Sequence, residues 1–191
     1  WPQRHAGSHL MSLSWRPLLL RCVAIFVITL LLASACITLT RVAGNVAYLW
    51  LPNIVLFVVL LRSPRAQWRW LMPSAGLGNV LANLGFGDSL PLALGISLAN
   101  QLECLLAAVL VLRFVPGVPH RLNITGVLRL LGLLIVPAVI PGALAGALVV
   151  HLAHGTPVLP VAFNWWLGEL VGAVLLCIPL LLVQWQQVRR L

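Results

Sequence analysis

The chain has 191 residues, of which 61% are hydrophobic and 8% are charged, and its net charge is +9. So few polar side chains could not cover the surface of a water-soluble domain, and the composition therefore excludes the soluble classes of protein. The positive charge comes from arginines scattered between apolar runs. A protein that follows a phosphate backbone carries them in a clustered stripe instead, so nucleic acid is excluded as a partner.

The N-terminal ten residues differ from the rest of the chain. They do not begin with Met, and the letters GSHLM at 7–11 resemble the remnant of an expression tag. We therefore expect residues 1–10 to be a tag-like segment and residues 11–191 to be a transmembrane domain.

Six apolar segments follow one another, and each is long enough to cross a bilayer, which takes about 20 residues. They run over roughly 17–40, 42–61, 70–87, 90–112, 126–152 and 160–184. The connections between them are short. The sequence therefore predicts an all-α polytopic membrane protein, a bundle of about six transmembrane helices embedded in lipid.

The arginines predict the orientation of this bundle. Ten of them fall on one side: Arg16, Arg21, Arg62, Arg65, Arg69, Arg113, Arg121, Arg129, Arg189 and Arg190. The other side has Arg41 alone. Because cytoplasmic loops carry the excess of positive charge, both termini are predicted to be cytoplasmic. Trp68 and Trp70 are predicted to be interfacial anchors at the start of the third helix.

Two acidic residues, Glu103 and Glu169, fall inside apolar helices, and a third, Asp88, follows the third helix. A charge at the bilayer centre costs about 3 kcal/mol on insertion scales, so such residues face the bundle or a wet cavity. With a rise of 1.5 Å per residue, several amides share the depth of Glu169, roughly 12–16 Å below the outer helix ends. The candidate pocket and signalling residues are Trp50, Asn53, Asn79, Asn83, Asn100, Glu103, Trp165, Trp166 and Glu169.

Other interpretations of these residues stay open. Amides often join helices by hydrogen bonds worth about 0.6 kcal/mol each, which would be packing alone. His151 and His154, three positions apart, could ligate a metal or haem, but solvated histidines are more common at a membrane interface. The sequence has no nucleophile–base motif, so it predicts no catalytic residue and no enzyme, and it names no cofactor.

Four motifs in order resemble the MASE1 family, membrane-associated sensor domain 1. They are Trp50–Asn53 (W-x-P-N), the tract GLGNVLANLGFG at 76–87, Ala99–Glu103 (A-N-x-L-E), and W-W-L-G-E at Trp165–Glu169 followed by Gly172 and Pro179. Glu169 stands where the family often has Asp. The family also usually continues with further helices, whereas this sequence has six apolar segments.

The resemblance implies a sensory input domain in the bacterial inner membrane. Such domains precede a histidine kinase or a cyclic-di-GMP output domain, which would lie C-terminal to Leu191, and the chain could form a homodimer. The stimulus would be an unidentified small molecule or membrane partner, and Glu169 would belong to the buried polar pocket that senses it.

Two other functions remain open from the residues. A six-helix protein with a polar pocket could be the substrate-binding membrane subunit of a small-solute uptake transporter. It could also be a structural partner that binds another membrane protein through the glycine face of Gly142 and Gly146.

Overall fold

A computed structural model of the chain describes residues 15–42, 46–115, 124–133 and 137–182. The elements are α1 (Trp15–Thr40), α2 (Pro52–Leu61), α3 (Arg65–Gly85), α4 (Leu90–Phe114), α5 (Ile124–Leu133), α6 (Val139–His154), α7 (Val158–Gly172), a π-helical turn (Ala173–Cys177) and α8 (Ile178–Leu182). Within these ranges the extended structure amounts to one isolated bridge between Arg41 and Ala47. The predicted all-α class is confirmed.

Three helices in the described part of the chain are long and apolar enough to cross a membrane. They are α1 with 26 residues, α4 with 25, and the 24-residue helix Val158–Leu181, which α7, the π-helical turn and α8 form together. Helices α2 and α6 are apolar but shorter. The count of six spans and the orientation stay predictions.

The predicted second helix, 42–61, is wrong over residues 46–51, and its residues 43–45 lie outside the described ones. Helix α2 begins at Pro52 and has 10 residues, so it is about 15 Å long and covers half of a bilayer core. The preceding segment 46–51, which we call the re-entrant segment, is not helical. Its hydrogen bonds go elsewhere: Trp50 N donates to Gly168 O at 3.4 Å, and Leu49 N donates to Thr40 Oγ1 at 3.2 Å. A proline at the first helical position starts α2 because it has no N–H to leave unpaired.

Two helices, α5 and α6, overlap the predicted fifth helix, 126–152, and residues 134–136 between them lie outside the described ones. Pro137 precedes α6 and Pro141 lies in its first turn, and neither can donate to a carbonyl one turn earlier. Pro179 also lacks an N–H to donate within the last span. The hydrogen-bond ladder of that helix widens to a π-helical turn over Ala173–Cys177 just before it.

The prediction for Trp68 as an interfacial anchor is wrong. Its side chain is 7% exposed, and its Nε1 donates to the carbonyl oxygens of Leu60 at 3.0 Å and Ser63 at 3.2 Å. The indole thereby satisfies the last carbonyls of α2 and fixes the α2–α3 turn. Trp70 is 51% exposed, as an anchor would be.

The buried polar residues lie where three apolar clusters meet. One cluster is centred on Leu60 and Val111, a second contains Trp165 from α7, and a third contains Trp50. Helices α1 and α3 approach closely at Gly78, where an added Cβ would lie 2.6 Å from the carbonyl oxygen of Phe26. The scaffold thus holds the short helix α2 among longer ones.

Candidate functional site at the start of helix α2

The side chain of Asn53, the second residue of α2, connects three helices. Its Nδ2 donates to Oδ1 of Asn100 in α4 at 2.8 Å and to Oε1 of Glu169 in α7 at 2.7 Å. Its Oδ1 accepts a hydrogen bond from Nε1 of Trp50 at 3.3 Å. Asn53 is 5% exposed, and Asn100 and Glu169 are each 1% exposed. Both amide hydrogens of Asn53 are therefore used inside the bundle.

The start of α2 gives this site a positive electrostatic potential. The first N–H groups of a helix have no partner within it, and the aligned peptide dipoles place a partial positive charge there. Leu51 offers no side-chain cap, and Glu169 lies beside this helix end through its bond to Asn53. Interrupted helices whose N-terminal ends face a polar site occur in the binding sites of transporters.

The second glutamate belongs to the same site. Oε2 of Glu103 in α4 accepts a hydrogen bond from Nε1 of Trp165 at 3.3 Å, and the residue is 3% exposed. The carboxyl groups of Glu103 and Glu169 contact each other. They line one small cavity together with Asn53 and Cys104, whose Sγ donates to the backbone oxygen of Asn53 at 3.5 Å.

Two glycines of α6 make room for these side chains. A Cβ added at Gly142 would lie 2.9 Å from Oε2 of Glu103, and one added at Gly146 would overlap the indole ring of Trp165. The hypothesis that this glycine face binds another protein is therefore wrong, because side chains of this chain already occupy it. The small residues let a carboxyl and an indole fit between α4, α6 and α7.

Two glycines of α7 make room for backbone. A Cβ added at Gly168 would lie 3.2 Å from the carbonyl oxygen of Tyr48, and one added at Gly172 would overlap the carbonyl oxygen of Trp50. The GxxxG pattern of this helix thus accommodates the re-entrant segment rather than another helix. Non-helical backbone at membrane depth is tolerated where protein or a cavity surrounds it.

Two polar atoms of the site have no hydrogen-bonding partner among the described residues. They are Nδ2 of Asn100, a donor, and Oε2 of Glu169, an acceptor, and both are buried. Most buried polar groups in proteins are paired, so each unpaired group calls for a specific explanation such as a bound ligand or ion.

A cleft reaches the site from the end of the bundle that carries Arg41, which we call the Arg41 end. It encloses about 390 Å³ including its mouth, and its lining residues are Ile37, Arg41, Val46, Ala47, Trp50, Asn83, Ile96, Asn100 and Trp165. Two indoles, two amides and an apolar wall are the mixture found in small-molecule pockets.

The Arg41 end also contains an ion pair that the sequence analysis did not predict. Nη1 of Arg41 lies 2.6 Å from Oδ2 of Asp88, and the two side chains are 17% and 12% exposed. The sequence contained a signal for this pair. Arg41 is the one arginine predicted on its side of the bundle, and Asp88 follows the third predicted helix on the same side. The pair joins the end of α1 to the α3–α4 turn beside the cleft.

The remaining predicted site residues lie near the site but outside its hydrogen-bonded centre. Nδ2 of Asn83 donates to Oδ1 of Asn79 at 2.7 Å, and Asn83 lines the cleft whereas Asn79 packs within α3. Trp166 is half-buried and stacks on Phe163 with ring centroids 6.0 Å apart.

The two histidines lie away from the site. His151 and His154 are exposed at the end of α6, and Nδ1 of His151 lies 2.7 Å from the carbonyl oxygen of Thr156. Over the described ranges, no three His, Cys, Asp or Glu side chains gather as metal ligands would.

The described helices form an all-helical bundle in which three are long and apolar enough to cross a membrane, with a buried polar cluster at the start of the ten-residue helix α2. The sequence matches the MASE1 family over residues 18–190. The chain therefore belongs to the MASE1 family of membrane-associated sensory domains, and the resemblance of its motifs is confirmed.

The chain is also similar to the probable diguanylate cyclase DgcE of Escherichia coli (strain K12). The two are 29% identical over 163 residues, which is 85% of this chain and 14% of the relative. The chain thus spans about one seventh of the length of that relative. No solved structure matches the chain significantly.

Proposed function

We propose that the chain is the sensory input domain of a bacterial signal-transduction protein, and that the stimulus acts at the buried site around Asn53. Membership of a family of membrane-associated sensory domains supports the role. The observation that carries the proposal is the bonding of Asn53, which joins α2, α4 and α7 while two buried polar atoms of that site lack partners among the described residues. A ligand that satisfies those atoms changes the contacts of three helices at once.

The signal leaves along the last span, and the output domain synthesises or breaks down cyclic di-GMP. Glu169 lies in α7, and the π-helical turn and α8 continue the same helix away from the site. A π-helical turn is a frequent place for a helix to change its winding. The similarity to a probable diguanylate cyclase supports this output, and catalysis then belongs to a domain other than this one.

The orientation follows from the arginines. We place both termini in the cytoplasm, with six spans in the inner membrane and the Arg41 end facing the outside. The cleft is then open to extracytoplasmic ligands, which fits its position between the polar site and that end.

The test compares two buried amides in the full-length protein. Asn53→Ala removes the bonds to Asn100 and Glu169, while Asn79→Ala removes an equally buried amide that bonds Asn83 within α3. Output activity per membrane-inserted protein should lose its response to the stimulus in the first variant and keep it in the second. Equal responses in both variants would contradict the proposal.

Transport is the second candidate, and one observation favours it. The re-entrant segment and the half-length helix α2 beside a carboxyl group resemble the discontinuous helices of secondary transporters. Solute uptake by cells or proteoliposomes that contain the full-length protein decides between the two functions. A stimulus that changes output but does not accumulate supports sensing, and accumulation supports transport.

A further inference from the structure

Glu103 and Glu169 come from different helices and meet in one small cavity at the centre of the bundle. Both are at least 97% buried, with exposures of 3% and 1%. Their carboxyl groups contact each other, yet ionised carboxylates are both acceptors and cannot bond directly. Oε2 of Glu169 is the buried acceptor for which the described residues supply no donor.

We propose that Glu103 and Glu169 form a proton-binding site that exchanges protons with the solution at the Arg41 end. The inference rests on the proposed function and deepens it, because it names the proton as a ligand of the same site.

The groups that face the two carboxyl groups supply no positive charge, so the positive charge that balances them comes from a proton. Helix α2 contributes the amide of Asn53, α6 contributes the backbone at Gly142, and α7 contributes the indole of Trp165. The other titratable groups facing the pair in the described part of the chain are the thiols of Cys104 in α4 and Cys36 in α1. None of these groups is a cation, and the Arg41 guanidinium at the cleft is paired with Asp88.

One proton shared by the two carboxyl groups removes the repulsion between them. Two adjacent carboxylates cannot both stay ionised, and a single proton turns their repulsion into a short charge-assisted hydrogen bond. The proton is shared between Glu103 and Oε2 of Glu169, while Oε1 of Glu169 accepts from Asn53 and Oε2 of Glu103 accepts from Trp165.

A second proton from solution would neutralise the pair. The pair then changes from one negative charge to none, and the bond from Asn53 to Glu169 becomes a weaker neutral one. Because that bond joins α2 to α7, the gain of one proton loosens the contact between these helices. The reverse step returns the proton to water at the same end.

Protons reach the pair through the cleft, which a single layer of side chains separates from the two carboxyl groups. Asn100 and Trp165 line the cleft, and the same two residues bond the inner site: Asn100 through Asn53, and Trp165 through Glu103. Nδ2 of Asn100, which has no partner among the described residues, can donate to a water molecule in the cleft. Water that moves past this layer carries protons to the cavity.

The experiment follows Trp165, whose indole N–H reports on Glu103. The purified chain in lipid nanodiscs carries isotope-labelled tryptophan, and the Trp165 resonance is assigned with Trp165→Phe. Infrared spectra of the same samples follow the C=O stretch of protonated carboxyl groups. In the wild type, the Trp165 resonance should shift and the carboxyl band should grow as the pH falls. Both changes should be lost when Glu103→Gln and Glu169→Gln are combined, and kept in Asp88→Asn.

Two results would overturn the proton site. One is a Trp165 resonance and carboxyl band that do not change over the pH range in which the chain stays folded. The other is a Trp165 shift that follows Na⁺ at constant pH, which would assign the site to a metal cation. If Asn53→Ala still abolishes the output response of the full-length protein, the proposed function stands without the proton.

Discussion

Nδ2 of Asn53 in α2 lies 2.7 Å from Oε1 of Glu169 in α7, although the two residues are 116 positions apart in the chain. The bond closes the bundle around its polar centre, because α2 also meets α4 through the same amide. The re-entrant segment leads into α2 just before Asn53, and Gly168 and Gly172 lie close to Glu169 in α7. Substitution of these glycines tests whether the site needs the close contact between them and the segment.

Gly172→Ala should destabilise the fold by about 1–3 kcal/mol, the usual cost of overpacking. The added methyl group would overlap the carbonyl oxygen of Trp50, and backbone cannot move aside as a flexible side chain can. Gly132→Ala is the matched control, since nothing lies within 4 Å of its Cβ position. Unfolding in mixed micelles measures both, and equal stabilities would contradict the close approach of the re-entrant segment.

Trp165→Phe should destabilise the fold by about 1–3 kcal/mol, because it leaves Oε2 of Glu103 without its indole donor. Trp166→Phe is the control at the neighbouring position, where the side chain is half-buried and its ring stacking on Phe163 is retained. The same unfolding assay should rank the control closer to the wild type. A larger loss for Trp166→Phe would argue against the bond to Glu103.

The ion pair between Arg41 and Asp88 should contribute about 1 kcal/mol, as expected for a pair near the protein surface. Arg41→Gln and Asp88→Asn should each lose that amount. The exchange Arg41→Asp with Asp88→Arg should recover part of it, because opposite charges face each other again. A double variant that loses more stability than the two single variants together would show that the two charges do not act as a pair.

The topology is testable by labelling single cysteines in a cysteine-free background. A membrane-impermeant reagent added to whole cells with a permeable outer membrane should reach a cysteine at Ser89 or Pro157 and miss one at Ala66. All three positions are exposed in the structure, so the membrane alone decides which of them react. The opposite labelling pattern would reverse the proposed orientation.

The all-α class could be predicted because apolar length acts over whole segments. The depth of each residue along its helix, counted on the sequence, placed Asn53, Asn100 and Glu169 in a common layer, since a helix advances by a fixed rise per residue. The direction of a single side chain does not follow from such averages. Trp68 shows this, as it turns inward to cap the end of α2.

The re-entrant segment could not be predicted from its composition. Its residues are as apolar as those of a helix, and Pro52 is compatible with a helix that begins there as well as with a loop. The segment loses its helical form because Gly168 and Gly172 of α7 offer the backbone a place and a carbonyl partner. Those contacts are distant in sequence, so a GxxxG pattern by itself does not show whether its neighbour is a helix or a non-helical segment.

The most direct test of the central claim is the output activity of Glu169→Gln and Glu103→Gln in the full-length protein, normalised to membrane-inserted protein. Glutamine keeps the shape of the side chain and an oxygen that accepts from Asn53 or Trp165, so the amount of folded protein should stay near that of the wild type. We predict that each variant holds the output at one level, with and without the native stimulus. Wild-type responses in both variants would contradict this claim and leave the two glutamates as packing residues.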